Sequence, residues 1–151
     1  MREFSDLDDF LAATGRPLGV SDWVTIEQER IDLFADATGD HQWIHTSPAE
    51  AASGPYGSTI AHGYLTLSLL PSLVAQIFRV NGVRMAINYG LNKVRFITPV
   101  KVGSMVRANT ELLDTKVVDP ATVQYVLKTT VEIGDATRPA CIAETIGRYY
   151  R

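Results

Sequence analysis

The sequence predicts an α+β protein, an antiparallel sheet of about five strands with one long apolar helix against it. Three observations lead there. The first half reads helical and the second half extended. The segment from Gly63 to Val80 carries repeated i, i+4 apolar pairs. Four long runs rich in β-branched and aromatic residues follow it. The 151 residues suit a single domain, 1–151, and no repeat or linker-like tract divides them.

Each element follows from local chemistry. Ser5 to Thr14 predicts a first short helix, capped by Ser5 and stopped by Gly15 and Pro17. A short strand near Val20–Val24 comes next. Thr25 is the expected cap of a second helix, with Gln28 completing a capping box and Gly39 ending it. Ser47, Pro48 and Glu50 take the cap, first and third positions of another short helix, which Gly54-Pro55 ends. The long helix over Gly63–Val80 is apolar around most of its circumference, so it should be buried. Pro71 should kink it, because proline offers no N–H to the preceding turn. Strands are expected at Val83–Ile97, Ser104–Val118, Ala121–Ile133 and Pro139–Tyr150. Asp119-Pro120 and Gly134-Asp135 mark turns, and Tyr89-Gly90 marks a bulge.

Composition excludes several classes. Hydrophobic residues make up 46% and charged residues 21%, which argues against a disordered chain. A lone cysteine, Cys141, cannot form an internal disulfide and fits a reducing, cytoplasmic setting. No apolar leader and no membrane span is expected. The net charge of −3 gives no general pull toward nucleic acid. Its distribution is uneven: residues 1–62 hold eleven acids and three bases, and residues 63–151 hold six acids and eleven bases. Between Gly63 and Thr110 there is no acid. This basic half is either an exposed basic face or a surface for a small polyanion.

The histidines His41, His45 and His62 fall close together. Asp40 and His45 sit in a loop between Gly39 and Pro48. An Asp and a His converging on one water make an acid–base pair, typically worth about 10²–10⁴-fold in rate. The plainer alternative is that Asp40 turns the chain and His45 is a hydrogen-bonded core residue. His41 and His45 are four apart, a metal-ligand spacing that needs a helix, for which Gly39 and Pro48 leave little room. No metal and no cofactor is expected. Gly63 opens the long helix, where free N–H groups and close backbone approach suit an oxyanion hole.

These segments resemble the MaoC-like dehydratase family, the hot-dog-fold (R)-specific enoyl-CoA hydratases. Gly39-Asp40-His41-Gln42-Trp43-Ile44-His45 keeps the family's Asp and His at their spacing, with Gln42 and Trp43 in place of Asn and Pro. That Gln-Trp version resembles the nodulation-protein-N-like branch. His62-Gly63 matches the family's His-Gly. Val94-Arg95-Phe96, Pro99-Val100 and Gly103 match its strand motif.

The resemblance implies a sheet wrapped around the Gly63–Val80 helix, and a homodimer with active sites at the subunit interface. It implies hydration of a trans-2-enoyl-CoA to an (R)-3-hydroxyacyl-CoA, with Asp40 and His45 catalytic and the Gly63 N–H on the thioester oxygen. Gln42, Trp43, His62 and Arg95 are the remaining candidate substrate contacts. Arg79, Arg84, Lys93, Arg95 and Lys101 are candidates for the CoA phosphates. Two alternatives remain: an acyl-CoA thioesterase of the same fold, and a non-catalytic acyl-binding partner subunit.

Overall fold

The computed structural model describes residues 1–151. In chain order the elements are β1 (Arg2–Phe4), α1 (Leu7–Leu11), β2 (Arg16–Val20), β3 (Val24–Thr25) and α2 (Gln28–Thr38). Then come α3 (Trp43–Thr46), α4 (Pro48–Ala52), α5 (Gly63–Ser68), α6 (Leu70–Val74) and β4 (Phe78–Val80). The chain ends in four long strands, β5 (Met85–Phe96), β6 (Met105–Asp119), β7 (Thr122–Ile133) and β8 (Cys141–Tyr150).

Alternating burial along β6 and β7 shows why this half is extended: Val106, Ala108, Thr110 and Leu112 point inward with polar residues between them. The strands order as β2-β6-β7-β8-β5, all antiparallel, and β3 also pairs with β6. The sheet therefore has six strands where about five were expected. A separate parallel pair joins β1 to β4. The expected bulge is present: Asn88 pairs with Gly147 and Gly90 with Ile146, leaving Tyr89 as the extra residue. A second irregularity at Asn92 was not foreseen.

The long helix is corrected. Gly63–Val80 is two short helices and a strand. Pro71 has no N–H to give the Leu67 carbonyl, so the helix is interrupted at Leu69. Leu69 keeps right-handed helical angles, and bonds from Leu69 N to Leu65 O and from Leu73 N to Leu69 O, both 3.1 Å, carry the direction across the break. The chain leaves helix after Val74, and Phe78–Val80 pairs with the N-terminal strand instead.

Smaller shifts have local causes. Asp6, not Ser5, caps α1, accepting from Asp9 N at 2.9 Å. The strand placed at Val20–Val24 divides into β2 and β3. Thr25 lies in β3 opposite Met105, and α2 starts after Glu27 with no side-chain cap.

The inner face of the sheet carries two apolar clusters. One gathers Phe4, Phe10, Leu73, Phe78, Leu112 and Tyr125, and the other Ile31, Leu65, Leu70, Val106, Val131 and Cys141. No helix is long and apolar enough to cross a membrane.

Gly147 shows how tightly this face is packed. A Cβ there would collide with the Tyr125 ring, which is 9% exposed and packs at a tilt on Tyr149 with centroids 4.5 Å apart. Gly147→Ala should destabilise the fold by about 1–3 kcal/mol, the usual range for overpacking. Gly90→Ala, whose Cβ meets only the Ile146 methyl at 4.0 Å, should change stability by no more than about 0.5 kcal/mol. Urea unfolding of the two variants beside the parent checks both.

Candidate active site

The site is built where α2 stops. Gly39 takes a left-handed φ of 78° and its N–H bonds Ala35 O at 2.8 Å, closing the helix. The next residue, Asp40, is exposed. A single turn, α3, then delivers His45, which is 6% exposed. Its Nδ1 lies 2.7 Å from the Ile60 carbonyl. A carbonyl only accepts, so Nδ1 holds the proton and the neutral ring keeps a lone pair on Nε2. Burial is the main cause that pushes the His45 pKa below its ordinary 6.5. The Ile60 bond acts against burial, His62 adds to the lowering, and the Asp40 charge pulls the value back up.

His62 caps α5 and is 2% exposed. Its ring stacks on His45 with centroids 3.8 Å apart and planes at 25°. Phe34 lies 5.1 Å from the same ring. His62 Nε2 donates to the Asp40 carbonyl at 2.9 Å, while Nδ1 is buried with no partner. Asp40, His45 and His62 each offer a side-chain ligand atom, and the three atoms lie within 4.8 Å of one another. Such a trio can hold a water between proton-accepting groups, and its donor set also suits a divalent metal. His41, weighed with His45 and Asp40 from sequence, faces Asp36 at 3.6 Å instead, and His62 takes its place.

Gly63 is the first residue of α5, so its N–H has no acceptor within the helix. A Cβ on Gly63 would lie 3.0 Å from the Phe96 ring, so glycine is what lets Phe96 close against this helix end. Trp43 shows a similar fit: a Cβ on Gly54 would sit 2.8 Å from its ring, so the Trp lies directly on that backbone. Gln42 contributes its carbonyl, which accepts from His45 N at 2.9 Å and closes α3.

Arg95 is not brought into this cluster. Val94 and Phe96 face the helices, which turns Arg95 to the other face, where its guanidinium bonds Val94 O at 2.8 Å. Arg79 pairs with Glu3 at 2.7 Å, and Lys93 lies opposite Glu144.

Sequence reasoning missed Gln28. Its Nε2 donates to the His45 carbonyl at 2.7 Å and to Asp32 Oδ1 at 2.8 Å. Its Oε1 accepts from the Thr59 hydroxyl at 2.5 Å. It thus ties the start of α2 to α3 and to the segment holding Ile60. The signal was available: Gln28, Ile31 and Ala35 share a helix face at i, i+3 and i+7, and the last two are fully buried.

The MaoC like domain profile matches residues 9–134. The chain belongs to the MaoC-like domain family. It is 57% identical over 149 residues to a Mycobacterium tuberculosis protein named 3-hydroxyacyl-thioester dehydratase Z, covering 99% of each chain. It is 45% identical over 148 residues to Nodulation protein N of Rhizobium leguminosarum bv. viciae, covering 97% of this chain and 91% of the relative. Among solved structures it resembles the (R)-hydratase from A. caviae involved in PHA biosynthesis, with a TM-score of 0.68 and 25% identity over 85% of this chain and 94% of that one. A monoamine oxidase regulatory protein from Archaeoglobus fulgius reaches a TM-score of 0.80 at 22% identity, over 99% and 97% of the two chains. The expected hot-dog fold and hydro-lyase class of this MaoC-like protein are therefore established.

Gln28→Leu would leave the buried Thr59 hydroxyl and the His45 carbonyl without their partner. It should cost about 1–3 kcal/mol in stability. Gln28→Glu, which keeps an acceptor for Thr59 but sets a carboxylate oxygen against both the His45 carbonyl and Asp32 Oδ1, should be at least as destabilised as Gln28→Leu in chemical unfolding near neutral pH.

Proposed function

We propose that this MaoC-like protein hydrates trans-2-enoyl-CoA thioesters to (R)-3-hydroxyacyl-CoA, and runs the dehydration in reverse. The observation that carries this reading is the fixed His45 ring. With Nδ1–H committed to Ile60 O, Nε2 remains as a base, and a carboxylate oxygen of Asp40 lies within 4.8 Å of a His45 ring nitrogen. The relative named 3-hydroxyacyl-thioester dehydratase Z supports a thioester substrate, and the likeness to an (R)-hydratase supports the hand of the product.

In the forward direction Asp40 accepts a hydrogen bond from water and orients it. The water oxygen bonds C3 as His45 Nε2 takes one of its protons. The C2=C3 electron pair shifts toward C1, and charge develops on the thioester oxygen. The Gly63 N–H, at a helix start, donates to that oxygen. The imidazolium then returns its proton to C2. One water hydrogen stays on the new hydroxyl and the other ends on C2, so atoms and charge balance.

Other features fit this substrate. A cavity of about 820 Å³ runs between α5–α6 and β5, lined by Leu67, Leu70, Val74, Leu91 and Ile146. Leu67 is four residues past Gly63, roughly 6 Å along the helix axis. An acyl tail leaving the thioester therefore meets apolar walls about one helical turn away. Gln42 and Trp43 stand beside the dyad as substrate contacts. Arg95, facing outward, suits a phosphate at the solvent side. β5 is an edge strand with Met85, Tyr89, Leu91 and Phe96 each about half exposed, which supports pairing with a second copy and a homodimer. With Phe96 against Gly63, that edge reaches the site, which supports an active site at the subunit interface. The lone buried cysteine fits a cytoplasmic enzyme.

The test uses trans-2-butenoyl-CoA and longer 2-enoyl-CoAs, following loss of the conjugated thioester absorbance alongside free thiol. Turnover without thiol release is expected, with Asp40→Asn and His45→Ala each lowering kcat/KM by about 10²–10⁴-fold. The acid limb of kcat/KM should fall below pH 6.5, since the base is lost only as pH drops through the lowered His45 value. Sedimentation should give twice the 16.6 kDa chain mass. Thiol release from saturated acyl-CoA would favour the thioesterase reading. No turnover by a folded dimer at any chain length would favour the binding subunit.

A further inference from the structure

We propose that His62 is a positioning residue for the Asp40–His45 pair, holding the aspartate by its main chain and the histidine by its ring face. The inference rests on the hydratase reading for its catalytic consequence, and on geometry alone for its structural content. Sequence reasoning placed His62 among the substrate contacts. Its surroundings assign it a different task.

Asp40 lies beyond the end of α2, where the chain has left helix and has no sheet partner. Its N–H has only a long 3.5 Å contact to the Thr38 hydroxyl. The firm main-chain anchor at this residue is its carbonyl, held by His62 Nε2 at 2.9 Å. A charged, exposed side chain on such a segment has no packing to fix it, so the backbone bond decides where its carboxylate stands. The same imidazole presents its face to His45 at 3.8 Å. The His45 ring plane is thus set twice, by the Ile60 bond at its edge and by His62 across its face. Phe34 packs on the His62 ring at 5.1 Å and keeps the stack from sliding.

The peptide following His62 is the Gly63 N–H. One residue therefore registers the acid, the base and the oxyanion donor against one another. Each must stand within a fraction of an ångström of its productive place for water to reach C3 while the thioester oxygen is held.

Two shape-matched variants separate the two contacts. His62→Gln keeps an amide donor where Nε2 stood and loses the aromatic face. His62→Phe keeps the face and loses the donor. Both are measured for kcat, KM, the pH dependence of kcat/KM and melting temperature. His62→Phe should lower kcat by about 10–100-fold with KM within about threefold, the pattern of a misplaced catalytic group. His62→Gln should recover part of that loss. The groups facing His45 are His62, the Asp40 carboxylate and the Ile60 carbonyl, and His62 disfavours its charged form. The acid limb should therefore move to higher pH in His62→Gln, whereas the apolar ring of His62→Phe acts against that shift by deepening the burial of His45.

A structural readout stands apart from activity. Proton NMR titration of His45 in the parent and both variants should show its pKa rising in His62→Gln. That shift without any hydratase turnover in the parent would support the placement while removing the function. Folded variants with unchanged kcat, unchanged acid limb and unchanged His45 titration would overturn the proposal. So would an equal loss of kcat in both that tracks only a lowered melting temperature.

Discussion

The hydrogen bond from His45 Nδ1 to the Ile60 carbonyl, 2.7 Å long, is the constraint on which the chemistry proposed for this protein depends. It settles which nitrogen carries the proton. A buried neutral imidazole with Nδ1–H committed has one acceptor left, Nε2, and that acceptor can take a proton from water. Burial keeps the ring uncharged near neutrality, because solvation no longer favours the imidazolium. The Asp40 carboxylate opposes this without reversing it. In the proposed hydration this neutral ring is the base.

Much of the fold around the site keeps Ile60 and His45 in register. Ile60 N bonds Ile44 O at 3.0 Å and Ala61 N bonds Val100 O at 2.7 Å, so the segment is stitched to α3 on one side and to the sheet side on the other. Gln28 clamps the His45 carbonyl and the Thr59 hydroxyl together from the start of α2. The sheet supplies the rigid wall behind, with Leu65 and Ala61 packed in the cluster that contains Val106, Val131 and Cys141. A single helical turn as short as α3 has little stability of its own, and these tertiary bonds define it.

Strands were the most legible part of the sequence. The four long runs were each placed within two residues of their observed ends, because β6 and β7 alternate buried and exposed side chains and β5 and β8 are rich in β-branched and aromatic residues. The Asp40–His45 spacing and the Gly63 helix start were also legible, since both rest on residues fixed by local turns. The central helix was misjudged. Its apolar pattern continues through Phe78–Val80, and hydrophobicity alone does not say whether those residues continue a helix or pair with a strand from the N-terminus. Gln28 was read as a local cap when tertiary partners had claimed it. The bond from His62 to a carbonyl 22 residues away was not legible, because nothing local reveals it.

The central claim is the tautomer of His45, and nitrogen-15 NMR of the imidazole reads it directly. In ¹⁵N-histidine-labelled protein near neutral pH, His45 should show a protonated Nδ1 and a pyridine-type Nε2, with the Nδ1–H proton shifted downfield by its bond to Ile60. A protonated Nε2, or an imidazolium under the same conditions, would leave no lone pair facing Asp40 and would contradict the account.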